Sequence, residues 1–123
     1  MNDPREIESV YEDPLNTVWL RTAERCGLTV VRSDTVYASF DGTRTLTICT
    51  EDHFDPDDCL AQMIFHELCH ALVMGASGSE RRDWGLDNAD ERDAIFEHAC
   101  HRLQATLADR YGLREVLGPT TDY

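Results

Sequence analysis

Residues 60–75 read Leu-Ala-Gln-Met-Ile-Phe-His-Glu-Leu-Cys-His-Ala-Leu-Val-Met-Gly. His66 and His70 are four positions apart, so a helix stacks their imidazoles on one face and directs them at a single point. With Glu67 beside them this is the H-E-x-x-H arrangement: two neutral nitrogens for a divalent metal and a carboxylate to handle protons. On a helical wheel Ala61, Ile64, Phe65, Leu68, Ala71 and Leu72 fill one broad face, and the histidines point the opposite way between Met63 and Val73. A helix apolar nearly all round is buried on most sides, so the histidines should look into an interior cleft. The plainer explanation, two solvent-facing histidines on an amphipathic helix, fits badly with apolar turns before and after them.

The surrounding chain supplies the rest of an α+β domain. Asp55-Pro56-Asp57-Asp58 has the composition of a helix start, an acidic cap followed by Pro at the first position. It predicts a helix from 56 to about 74, stopped by Gly75. Upstream, Asp13-Pro14 opens a helix whose apolar residues Leu15, Val18, Trp19 and Ala23 recur at helical spacing until Gly27. Residues 28–32 are β-branched, and 35–40 and 44–49 both alternate around Asp41-Gly42, a hairpin signal. Residues 28–50 should therefore form a small, mostly antiparallel sheet, with 44–49 a candidate exposed edge for an extended peptide. Residues 75–88 have no period and read as a loop over the cleft. A last helix is expected from about 90 to 111, with Ile95, Phe96, Ala99, Cys100, Leu103, Leu107 and Tyr111 as its buried stripe, closed by Gly112 and followed by a short turn at 113–117. The whole is one domain, 1–123, with a loose N-terminal segment (1–13) and a frayed tail (118–123).

A catalytic zinc site needs a third protein ligand and an open position for water. The last helix offers Glu91, Asp93, Glu97, His98 and His101. With Phe96 as the centre of its stripe, Asp93, Glu97 and Gln104 lie on one shoulder, His101 slightly further round, and His98 and Glu91 well away. Glu97 is thus the expected third ligand. Asp93 and His101, one turn either side, are placed to orient ligands by hydrogen bonds. His98 is the alternative, giving a three-His or His-plus-Cys site. Arg81, Arg82 and Trp84 cluster on the loop, where they would either pair with acidic neighbours or clamp substrate.

Composition narrows the partners. The chain carries 24 Asp and Glu against 11 Lys and Arg, a net charge of −13, so phosphate-rich surfaces would repel it and nucleic acid is not expected. No run approaches the roughly 18 to 20 apolar residues that cross a bilayer, and the polar start Met-Asn-Asp-Pro-Arg-Glu has no signal-peptide character, so a cytoplasmic protein is expected. Five cysteines, Cys26, Cys49, Cys59, Cys69 and Cys100, without a C-x-x-C, fit reduced thiols. Cys69 and Cys100 read as small buried fillers, with a metal or redox role as the alternative.

His66-Glu-Leu-Cys-His70 followed by Glu97 resembles the gluzincin branch of zinc metallopeptidases, in which a glutamate from a following helix completes a two-His site. That resemblance implies a zincin-like minimal domain with zinc (Zn2+) on His66, His70 and Glu97, Glu67 as general base, and hydrolysis of a peptide or amide bond. A longer pattern, His66-Glu67-x-x-His70 with Gly75, Asp83, Trp84, Gly85, Phe96-Glu97 and Gln104-Ala105, is similar to the elongation factor P hydroxylase family. It implies ferrous iron (Fe2+) on the same triad and hydroxylation of a lysine-type side chain in a protein substrate. A third possibility is an inactive zincin-fold module that binds or regulates; a fourth protein ligand such as Cys100 would point that way.

Overall fold

The computed structural model describes residues 13–56, 58–78, 80–86 and 91–119. What the sequence leads one to expect of 1–12, of Asp57, of Ser79, of 87–90 and of 120–123 lies outside the described residues. The first helix, α1, spans Pro14–Arg25 and starts where the sequence places it, with the Asp13 carboxylate accepting the Leu15 N–H at 2.9 Å. Three strands follow, β1 (Thr29–Ser33), β2 (Ala38–Phe40) and β3 (Thr45–Cys49).

Their order is β1-β3-β2, with β3 antiparallel to β2 and parallel to β1. The sheet is therefore mixed, not mostly antiparallel. The hairpin signal at Asp41-Gly42 is sound: the Asp41 carboxylate accepts the N–H groups of Thr43, Arg44 and Thr45 at 2.8, 2.9 and 3.0 Å. Gly42, at φ 87, sits so close to the neighbouring loop that a Cβ would lie 2.7 Å from the Arg82 nitrogen. What alternation could not specify is where β1 joins, and it joins across the far side of β3. The expected edge at 44–49 is thus the central strand, and β2 is an edge instead. β2 is also shorter than expected, because the Ser33 hydroxyl accepts the N–H groups of Thr35 and Val36 and folds residues 33–36 into a turn.

The second long helix, α2, covers Leu60–Gly78, with a break at Gly75 (φ 69, ψ −163). It begins four residues later than the Asp55-Pro56 signal suggests. The cause is a distant side chain: the Tyr37 hydroxyl donates to Asp58 and accepts the Asp55 N–H, and the Asp58 N–H closes on the Asp55 carbonyl ahead of the helix. α2 is buried on two faces, as its composition requires. Leu60, Met63 and Ile64 pack with Phe40, Leu46 and Ile48 of the sheet and with Ala23 and Leu28. Ala61, Phe65 and Cys69 pack with Cys100, Ala108 and Leu117 on the other side. Leu72, expected on the broad face, is exposed.

The last long helix, α3 (Glu91–Arg110), packs against α2 and leads through Gly112 (φ 70) to the short α4 (Arg114–Leu117). Its rotation differs from the expected one. Ile95, Phe96 and Tyr111 face solvent, at 73%, 42% and 69% exposure, while Cys100, Gln104, Ala105 and Ala108 are buried. The inner face is made of small and polar residues, so the bulky stripe read from hydrophobicity lies to one side of it. Residues 118 and 119 are not frayed: the Gly118 carbonyl accepts from Gln62 Nε2 at 2.9 Å. Among the described residues, no helix is long and apolar enough to cross a membrane.

Candidate metal centre

Packing α3 against α2 brings Glu97 over the paired histidines. His66 Nε2 lies 3.2 Å from Glu97 Oε1, His70 Nε2 lies 3.4 Å from Glu97 Oε2, and the two Nε2 atoms are 3.0 Å apart. The ligand atoms of His66, His70 and Glu97 all fall within 4.8 Å of one another. A tetrahedral ion with bonds of about 2.0–2.1 Å separates its ligand atoms by roughly 3.3 Å; the two nitrogens, and each nitrogen with its nearer carboxylate oxygen (Oε1 for His66, Oε2 for His70), are spaced on that scale. The chemistry of the set fits too, with two imidazoles and one carboxylate suiting a borderline divalent cation.

The far sides of both rings are held by α3. Gln104 Oε1 lies 2.9 Å from His66 Nδ1, and Cys100 Sγ lies 3.2 Å from His70 Nδ1. Cys100 therefore sits behind His70 and not among the ligand atoms. Burial pushes its thiol up to about 12, so it stays protonated at neutral pH. His101 Nε2 approaches Glu97 Oε1 at 3.4 Å, one turn further along α3. Glu97, Cys100, His101 and Gln104 follow the i, i+3, i+4, i+7 spacing of one helix face. Asp93 is partly buried and His98 exposed, and both lie outside the lining of the cleft.

The charges are strongly coupled. Burial lowers His66, but the hydrogen bond it donates to Glu97, the charge of Glu67 and the Gln104 contact outweigh it, and the net shift is upward. Burial and the adjacent His66 push His70 down to about 4. Burial would raise Glu97, yet its hydrogen bonds to His101 and His66 and the charges of the imidazoles hold it well below the usual carboxylate range. One imidazole thus keeps a proton against the Glu97 carboxylate while the other is neutral.

Glu67 is buried, at 7% exposure, and lines the same cleft of about 640 Å³. Burial raises its carboxyl, with His66 and a hydrogen bond from Trp84 pulling the other way. That bond runs from Trp84 Nε1 to Glu67 Oε2 at 2.8 Å. Trp84 is 3% exposed and stacks on Phe40 with ring centroids 3.9 Å apart. It is a wall of the cleft with its N–H committed to Glu67. The loop carrying it is unusual: Asp83 (φ 50) and Trp84 (φ 60) are consecutive left-handed residues that are not glycine, a conformation costing on the order of 1–3 kcal/mol per residue. The stack, the Trp84 bond and the 2.9 Å bond from Phe40 N–H to Asp83 Oδ1 hold it in place. Arg81 and Arg82 are exposed and lie outside the cleft lining, with the Arg81 guanidinium over Gly85.

Two contacts of the candidate site are hard to read from sequence, the Trp84 hold on Glu67 and the Gln104 hold on His66. The first needs the loop conformation. The second had a signal, the seven-residue spacing between Glu97 and Gln104, but a glutamine within a helix does not announce a buried partner.

The cleft also borders the β2 edge through Ala38 and Ser39. Tyr37 C=O accepts from Cys49 N–H and Asp41 N–H reaches Thr45 C=O, so the alternating residues Ala38 and Phe40 turn their backbone groups away from β3. No protein-family model, curated protein or solved structure matches the chain.

Proposed function

We propose that this chain is a small zincin-like metallohydrolase acting on a peptide or amide bond. The observation that carries the reading is the convergence of His66, His70 and Glu97 on one point, beside a buried glutamate that lines the same cleft. Three protein ligands, with no fourth grouped with them among the described residues, leave a coordination position for water or substrate. Cys100 supports this by lying at the far nitrogen of His70.

A bound divalent ion supplies Lewis acidity, lowering the pKa of water and polarising a carbonyl. The rest falls to the chain. Glu67 takes a proton from the attacking water and returns it to the leaving amine, and a carboxyl raised by burial suits both directions of transfer. Trp84 fixes Oε2, so proton transfer runs through Oε1. An extended substrate lies along the edge of β2, held by the outward backbone groups of Ala38. The Asp83 carboxylate, bound to the Phe40 N–H, ends that edge.

The same triad is also the ligand set of non-haem ferrous enzymes, and this favours one second reading, hydroxylation of a lysine-type side chain on a protein. The test is elemental analysis of protein purified without tags or chelators, followed by digestion of an unstructured peptide mixture. One zinc per chain, with cleavage lost in Glu67→Gln while zinc is retained, is the expected result. Iron without cleavage shifts the reading to the hydroxylase, and a metal-free, inactive protein overturns both in favour of a binding or regulatory module.

A further inference from the structure

His66 can serve an ion through Nε2 only if that nitrogen carries the lone pair and Nδ1 the hydrogen. The groups at the two ends of the ring bear on which nitrogen carries it. Gln104 is 1% exposed, and its side-chain amide lies between two partners. Its Nε2 is 2.8 Å from the Leu117 carbonyl and its Oε1 is 2.9 Å from His66 Nδ1. A backbone carbonyl only accepts, so the amide N–H must face Leu117. The amide oxygen then faces His66, and because that oxygen also only accepts, Nδ1 must donate. Turning the amide over would set two carbonyl oxygens against each other. In the neutral ring the single hydrogen is therefore on Nδ1, and Nε2 takes its hydrogen bond from His70 Nε2–H at 3.0 Å, the Cys100 thiol facing the other nitrogen of His70 at 3.2 Å.

We infer that Gln104 is a positioning residue of the candidate metal centre, and that the Leu117 carbonyl in the C-terminal turn sets the tautomer of His66 through it. The turn is well placed to act as a fixed reference. Leu117 is buried in the core between α2 and α3, and the next carbonyl, Gly118, is bound by Gln62 one helical turn before His66. Two glutamines, one from each helix, thus grip successive carbonyls of the same turn. An amide also orients the ring without adding charge beside the triad, which a carboxylate in that place would do.

The benefit to metal binding rests on the proposed function, but the tautomer is a property of the metal-free protein and is tested separately. Metal-free full-length protein labelled with 15N-histidine is examined by long-range 1H–15N correlation at about pH 9, above the titration range of imidazole. Wild type should show His66 as the Nδ1–H tautomer. Gln104→Met, close in size but unable to hydrogen-bond, should let His66 populate Nε2–H. Gln104→Glu, which keeps the acceptor, should retain Nδ1–H. Zinc affinity, measured by chelator competition, should fall by about 10- to 100-fold in Gln104→Met and by clearly less in Gln104→Glu. Finding Nε2–H in the wild type overturns the inference whatever becomes of the variants, as does an unchanged tautomer in folded Gln104→Met. Nδ1–H in a protein that binds no metal upholds the tautomer assignment and removes the hydrolase.

Discussion

Loading the centre with a divalent ion should displace one proton per ion, not two. Across mildly acidic pH the metal-free triad holds a single proton: His70 stays neutral down to about 4, His66 is raised, and Glu97 is ionised throughout. An ion must expel that proton, so affinity rises with pH while His66 is protonated and flattens once pH passes its raised value. One proton per ion means a tenfold gain per pH unit, about 1.4 kcal/mol. Between about pH 5 and 6.5 this amounts to roughly 30-fold, whereas two protons would give roughly 1000-fold over the same interval. The assay is competition with a chromophoric chelator of known proton linkage, supported by calorimetry in two buffers of different ionisation enthalpy. A slope of two would mean that both imidazoles are charged before the ion arrives. A slope of zero would mean that the ion is not bound through His66. Either result refutes the electrostatic account.

Three further outcomes follow from the geometry. Zinc at about 100 times its Kd should stabilise the wild type by about 2.7 kcal/mol, near 10 °C in melting temperature for a domain of this size, and calorimetry should show no such gain in Glu97→Ala. Trp84→Phe keeps the stack on Phe40 but removes the donor to Glu67 Oε2; a buried carboxyl oxygen left unpaired costs about 1–3 kcal/mol, read from urea unfolding with an unchanged m-value. Asp83→Ala loses both the acceptor for Phe40 N–H and the tolerance for left-handed backbone, and should cost about 2 kcal/mol by the same assay. Asp83→Asn keeps both and should cost well under half of that.

What the sequence could and could not convey follows a physical pattern. Local signals held: the Asp13 cap, the Asp41-Gly42 turn and the four-residue histidine spacing depend on neighbours within a turn or two. Signals overridden from a distance failed. Asp55-Pro56 has the chemistry of a helix start, yet the hydroxyl of Tyr37, some twenty positions earlier, draws both Asp55 and Asp58 into a separate turn. On α3 hydrophobicity pointed to Ile95 and Phe96, because bulk usually marks the buried face. Here the helix approaches two imidazoles closely, so its inner face there carries the small Cys100 and the polar Glu97 and Gln104. Glu97 was legible because it lay on the shoulder of the misjudged stripe. Nothing local marked Trp84 as interior, since its burial depends on stacking against Phe40 of β2.

The close approach at Gly42 bears on mutational tolerance. The hairpin tip abuts the backbone at 81–82, immediately before the strained pair that ends in the tryptophan holding Glu67. A methyl group there has nowhere to go except by pushing that segment, and the displacement would be felt at the carboxylate. A substitution scan should therefore find a sensitive surface turn far along the chain from the histidines, while bulky exposed positions such as Ile95 accept polar replacements freely.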